Sequence, residues 1–118
     1  MANPNIVNVT AIYGSTAVSA LTTATANIVT NNSGSNTVIK MNDISISNFS
    51  AATITGNVML NRAATIYYFA GNISIPAYST LVVVGKDTGV YMLEGDVLQA
   101  NVSANSAAHL IASYETLS

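Results

Sequence analysis

The chain has 118 residues and a mass of 12.2 kDa, half of its residues are hydrophobic, and only 7% are charged, against about 25% in an ordinary soluble domain. Three scattered basic residues (Lys40, Arg62, Lys86), a net charge of −2 and a pI near 4.8 exclude the phosphate-neutralising patch that nucleic-acid binding needs. The lack of cysteine excludes a disulfide framework and thiolate chemistry, and no apolar run reaches the ~18–20 residues of a membrane-spanning helix.

In chain order, the opening Met1-Ala2-Asn3-Pro4-Asn5 has no basic stretch and no apolar core of a secretory signal, and residues 1–5 read as a flexible docking arm. Apolar residues then recur mostly every second position, with many β-branched side chains. This period predicts strands over 5–13, 24–31, 36–48, 53–60, 64–70, 72–75, 79–85, 90–93, 97–103 and 108–116. Ile44-Ser45-Ile46-Ser47 alternates cleanly, as does Leu98-Gln99-Ala100-Asn101-Val102, and Leu110, Ala112 and Tyr114 share one face. The stretch 15–27 mixes alanines with Ser and Thr, shows no core stripe, and reads as an extended segment or loop.

Turn signals separate these runs: Asn31–Asn36 around Gly34, Gly71-Asn72, Pro76-Ala77, Lys86-Asp87-Thr88-Gly89 and Ala104-Asn105-Ser106. Short strands punctuated this regularly predict one all-β domain over 1–118. Its expected form is an antiparallel β-sandwich, jelly-roll or Ig-like, of about eight strands in two sheets. Its strand edges carry little charge and invite pairing with another subunit. A surface of hydroxyls, amides and methyls loses little on burial because few ions must be desolvated.

Chemistry is sparse. Leu93-Glu94-Gly95-Asp96 places two of only five acidic residues around a glycine. Glycine tolerates positive φ and Asp accepts backbone N–H bonds, so Glu94-Gly95-Asp96 reads as a tight turn, with Asp96 capping it and Glu94 facing solvent or a neighbouring subunit. A calcium site using Asp87, Glu94 and Asp96 is the remaining chemical option, but the spacing matches no EF-hand and no other metal motif. His109 is the sole histidine, and no Gly-x-Ser-x-Gly elbow accompanies it, so a strand-end or interface histidine is the simpler reading than a catalytic one. The glycines are isolated rather than grouped into a phosphate cradle. The five Asn-x-Ser/Thr triplets, at Asn8, Asn31, Asn48, Asn72 and Asn101, follow from a composition rich in those residues. Six tyrosines without tryptophan suit core edges and subunit contacts, and Tyr67, Tyr68 and Tyr91 are alternatively a carbohydrate-stacking face.

A longer cadence runs through the chain: Ile75-Pro76-Ala77, Ser79-Thr80-Leu81, Leu93-Glu94-Gly95-Asp96 before Leu98, Ser103-Ala104 and Ser113-Tyr114-Glu115. The opening Asn5–Gly14 and the middle Val38–Asp43 share its style. It resembles small virion structural proteins of tailed bacteriophages, marine and cyanobacterial ones especially. The resemblance implies a non-enzymatic β-sandwich subunit of the virion, assembled in the host bacterial cytoplasm, without cofactor and with no catalytic residue to carry over. The expected role is capsid decoration or cementing as a symmetric homo-oligomer, a trimer by preference, bound to the major capsid protein or other virion proteins. The alternatives are a neck, tail or fibre-base subunit and a carbohydrate- or host-binding module. Asn5, Ile6, Tyr13, Tyr67, Tyr78 and Tyr91 are the candidate interface residues.

Overall fold

Two-residue alternation needs a sheet with one face buried and one face open, and two such sheets packed together satisfy it. The computed structural model describes residues 11–85 and 90–118. They form nine strands and no helix: β1 (Ile12–Leu21), β2 (Ala26–Thr30), β3 (Val38–Asn48), β4 (Ile54–Arg62), β5 (Thr65–Ile75), β6 (Thr80–Val84), β7 (Val90–Met92), β8 (Val97–Val102) and β9 (Ala108–Leu117). All pairings are antiparallel. One sheet runs β1-β9-β3-β6, with β7 pairing β3 beside β6, and the other runs β2-β8-β4-β5. The fold is therefore an all-β antiparallel β-sandwich.

The inward rows come from the alternating runs. Ile44, Ile46, Leu110 and Ala112 of the first sheet and Val58, Leu98, Ala100 and Val102 of the second are buried in one core, joined by Met41, Ile75 and Met92. Truncating a fully buried isoleucine such as Ile44 to alanine removes apolar contact and leaves a cavity, a loss of about 2–5 kcal/mol. Gly56 of β4 faces the core. A Cβ there would stand 3.0 Å from Ile75 Cδ1 and 3.3 Å from Ile46 Cδ1, so the interdigitation of those side chains depends on its absence.

Two sequence expectations change in the structure. Of the stretch expected as an extended segment or loop, residues 15–21 take the extended form: they belong to β1, whose ladder with β9 runs unbroken from Ile12↔Leu117 to Leu21↔Ala108. Small Ser, Thr and Ala side chains showed no core stripe because the first half of this strand is exposed on both faces. Gly71-Asn72 is not a turn. The expected strands 64–70 and 72–75 are one strand, β5, with register shifts against β4 between Gly56 and Met59. Asn72 takes positive φ (55°) there, a conformation Asn tolerates, so the residue that signalled a turn instead marks the irregularity. The docking arm 1–5, the first six residues of the expected strand 5–13 and the turn 86–89 lie outside the described residues.

Polar side chains fasten one end of the sandwich. Asn48, at the end of β3, is almost fully buried. Its amide donates to the carbonyls of Ala52, Ile75 and Pro76 at 2.9, 3.0 and 3.1 Å, and its Oδ1 accepts from the Ser50 N–H (3.0 Å) and hydroxyl (2.7 Å). One amide thus ties together backbone groups of the 50–52 loop and the end of β5.

Candidate functional site

The opposite end of the sandwich holds the Glu94-Gly95-Asp96 stretch. β7 ends at Met92 and β8 begins at Val97, and the chain reverses between them. Gly95 has φ +89°, a left-handed conformation that costs an L-residue about 1–2 kcal/mol and glycine nothing comparable. The Leu93 N–H donates to Asp96 Oδ2 at 2.8 Å, and the Asp96 N–H donates to the Leu93 carbonyl at 3.1 Å. The aspartate therefore closes the turn on itself.

Asp96 does more than cap. It is buried, and Arg62 at the end of β4 meets it in a fork: Nε to Oδ1 at 2.9 Å and Nη2 to Oδ2 at 2.6 Å. The aspartate side chain is 2% exposed and the arginine 43%, so the carboxylate is inside and its partner reaches in from the rim. The hydrogen bond to Asp96 holds the Arg62 guanidinium above its ordinary value, although burial opposes the shift. A bidentate charged pair of this kind fixes orientation as well as charge.

Glu94, expected to face solvent or a neighbouring subunit, is half-buried and uses both carboxylate oxygens within its own chain. It turns onto its own chain, where Oε1 accepts from the Gly34 N–H (2.9 Å) and Oε2 from the Asn36 N–H (3.0 Å). The reason is local: Gly34 and Asn36 both adopt positive φ (78° and 56°), which turns their N–H groups out of any ladder and leaves them needing acceptors. The buried Asn31 locks the same loop. Its amide donates to the Thr37 and Met92 carbonyls (both 3.0 Å), and its Oδ1 accepts from the Ser35 and Thr37 hydroxyls (2.9 and 3.0 Å). Two backbone bonds complete the join, Asn31 N–H to the Asp96 carbonyl at 2.9 Å and Gly95 N–H to the Asn31 carbonyl at 2.7 Å.

The carboxylates that made this stretch a candidate calcium site are thus directed at N–H donors of the protein itself. Among the described residues no group of three His, Cys, Asp or Glu side chains converges. His109 lies on the outer face of the first sheet, in register with Ala20 of β1 and Ser47 of β3. Its ring stacks against Phe49, with centroids 4.5 Å apart and planes inclined at 35°. The acidic residues of that face, Asp43 and Glu115, occupy rows nearer the other end of the strands, paired with Ser113 and Lys40. No carboxylate shares the histidine's row.

The candidate interface tyrosines scatter. Tyr13 is on β1, Tyr67 on β5, Tyr78 in the turn before β6 and Tyr91 on β7, and all are exposed, so no common aromatic platform forms. Asn5 and Ile6 lie outside the described residues. Sequence reasoning missed Arg62, Asn31 and Asn48. Arg62 stands 34 residues from Asp96, and no spacing rule links them. The asparagines' positions at strand ends, next to loops with Ser and Thr, are the one available signal.

The outer faces of the two sheets differ. On the second, Asn57 donates to Asn101 Oδ1 (2.8 Å), Asn101 to Thr25 (2.9 Å), and Gln99 to Asn27 Oδ1 (2.8 Å), giving amide rows across the strands. On the first, Val82, Ser45, Ile111 and Val18 form an uncharged row. The sequence matches no protein-family model and no curated protein.

Proposed function

We propose that the protein is a non-enzymatic virion structural subunit, most simply a capsid decoration or cement protein that binds the outer capsid surface as a symmetric oligomer. The observation that carries this reading is a charge-poor, partly apolar exterior on a sandwich whose described acids are largely tied up in its own architecture. Arg62 and Asp96 neutralise each other, Glu94 serves a loop, and Glu115 accepts from Asn42 at 2.9 Å. Ile12, Tyr13, Val18, Tyr67, Tyr68, Tyr78 and Val82 meanwhile stand more than half exposed. Such a surface associates with little ionic desolvation, and repeated copies on a symmetric particle multiply each small contact.

Purified protein mixed with tailed-phage capsids that lack it tests this directly. Imaging is expected to show density at recurring capsid sites. Absence of binding at every ratio rejects decoration. Hundreds of copies per virion fit the capsid, whereas roughly a dozen fit a neck or tail ring.

A second reading, glycan binding, has one observation in its favour. Tyr68 is exposed and shares a cross-strand row with Met59, Gln99 and Asn27, so a ring and an amide pair stand on either side of Met59. Saturable glycan-array binding that Tyr68→Ala abolishes is the result this reading requires.

A further inference from the structure

Natural sheets protect their edges by shortness, charge, proline or bulges. Among the described residues, the two sheets have four edges. β6 and β7 have five and three residues. β2 has five residues and a register shift against β8. β5 is long but breaks register twice against β4. β1 differs from all of them. Its ten residues, Ile12–Leu21, contain no charge and no proline, and its ladder with β9 has no irregularity. Residues 12–16 are exposed whichever face they point to, and Ile12, Tyr13 and Val18 are 57%, 65% and 73% exposed.

We infer that β1 is the self-association edge of this protein, and that two copies pair β1 to β1, antiparallel, about a twofold axis at Ser15. A second copy is the occupant that fits this strand. Pairing about Ser15 keeps outer face with outer face, because residues equidistant from Ser15 share a face of the strand. It sets Ile12 against the partner's Val18, and Val18 against the partner's Ile12, covering the two exposed aliphatic side chains of the strand with each other. On the inward face it sets Tyr13 against the partner's Ala17, where a ring has room beside a methyl. Gly14 meets the partner's Thr16. No like charges oppose each other, and two isologous sets of these contacts form at once. The first sheets of the two subunits become one continuous sheet.

This deepens the assembly reading by naming its contact, and it rests on that reading. The chain has no cysteine, so a single introduced one reports geometry without background. Residues directly opposite in an antiparallel pair lie about 4.5–5.5 Å apart at Cα, within disulfide reach. Light scattering of the full chain is expected to give a mass twice 12.2 kDa. Ser15→Cys is expected to crosslink nearly completely under mild oxidation, whereas Thr65→Cys on the β5 edge stays uncrosslinked. Val18→Lys is expected to halve the mass while leaving the circular dichroism spectrum and melting temperature of the subunit unchanged. A monomeric wild type overturns the inference. So does an oligomer, threefold or otherwise, that Ser15→Cys does not crosslink and Val18→Lys does not disperse. That second outcome leaves the assembly reading standing on another contact, while failure to bind capsid by a crosslinkable dimer removes decoration and keeps the β1 pairing.

Discussion

At the scale of single residues, the Leu93–Asp96 turn shows how one short stretch joins distant segments. Gly95→Ala is expected to lower unfolding free energy by about 1–2 kcal/mol, because alanine at φ +89° meets its own carbonyl. Gly95→Val is expected to cost more, since a β-branched residue is further restricted there. Urea denaturation reads both. Removing Arg62 leaves a buried carboxylate short of its charged partner. A fully buried pair broken this way loses about 3–5 kcal/mol, and because the arginine is partly solvated Arg62→Ala is expected at or below the low end of that range. Glu94→Gln keeps the fold but offers an N–H₂ group where the loop presents an N–H donor. We expect a loss of about 1 kcal/mol and faster amide exchange at Gly34 and Asn36.

The pH behaviour of the ion pair has a definite sign. The guanidinium value is raised on folding, so its stabilising contribution is whole below the ordinary arginine value and disappears only as pH climbs through the raised one. Thermal unfolding between neutral and mildly alkaline pH therefore shows no loss from deprotonation of Arg62.

At the scale of elements, most strands were legible because alternation in 38–48, 97–103 and 108–116 reflects one buried face and one open face. What was illegible follows from two other physical situations. The first half of β1 has both faces exposed, so no apolar period marks it, and its pairing with β9 is what makes it a strand. The Gly71-Asn72 signal was real as local conformation, since Asn72 does adopt positive φ, but the chain uses it for an irregularity within a strand instead of a reversal. The Gly95 turn was legible from glycine's conformational freedom. Its partners Arg62, Asn31 and the 34–36 loop were not, because contacts across 34 or 60 residues leave no periodic trace.

The β4–β5 hairpin makes a prediction at this same scale. Its two-residue turn, Ala63-Ala64, has positive φ at both positions (53° and 63°), which the type I′ turn requires and alanine disfavours. Asn-Gly is the pair that suits it. Ala63→Asn combined with Ala64→Gly is expected to raise stability by about 1–2 kcal/mol in thermal or urea unfolding, with the Arg62↔Thr65 register retained. A decrease would show that the hairpin does not carry this strain.

At the scale of the whole molecule, two polar networks anchored on buried side chains, Asn48 at one end and Asn31 with Asp96 at the other, pin the loops that join the sheets. The long exposed edge of β1 and the uncharged row across the first sheet are where charge poverty has its structural effect. Contacts of this kind are held by backbone hydrogen bonds and apolar burial, both weakly sensitive to salt, whereas ionic contacts between exposed groups fade within about 10 Å at 0.1 M salt. Sedimentation velocity of the full chain at low and high ionic strength tests the central claim, that this protein works by associating with copies of itself. The account predicts a mass twice 12.2 kDa and unchanged by salt. A single species at 12.2 kDa across all concentrations and salts would contradict it.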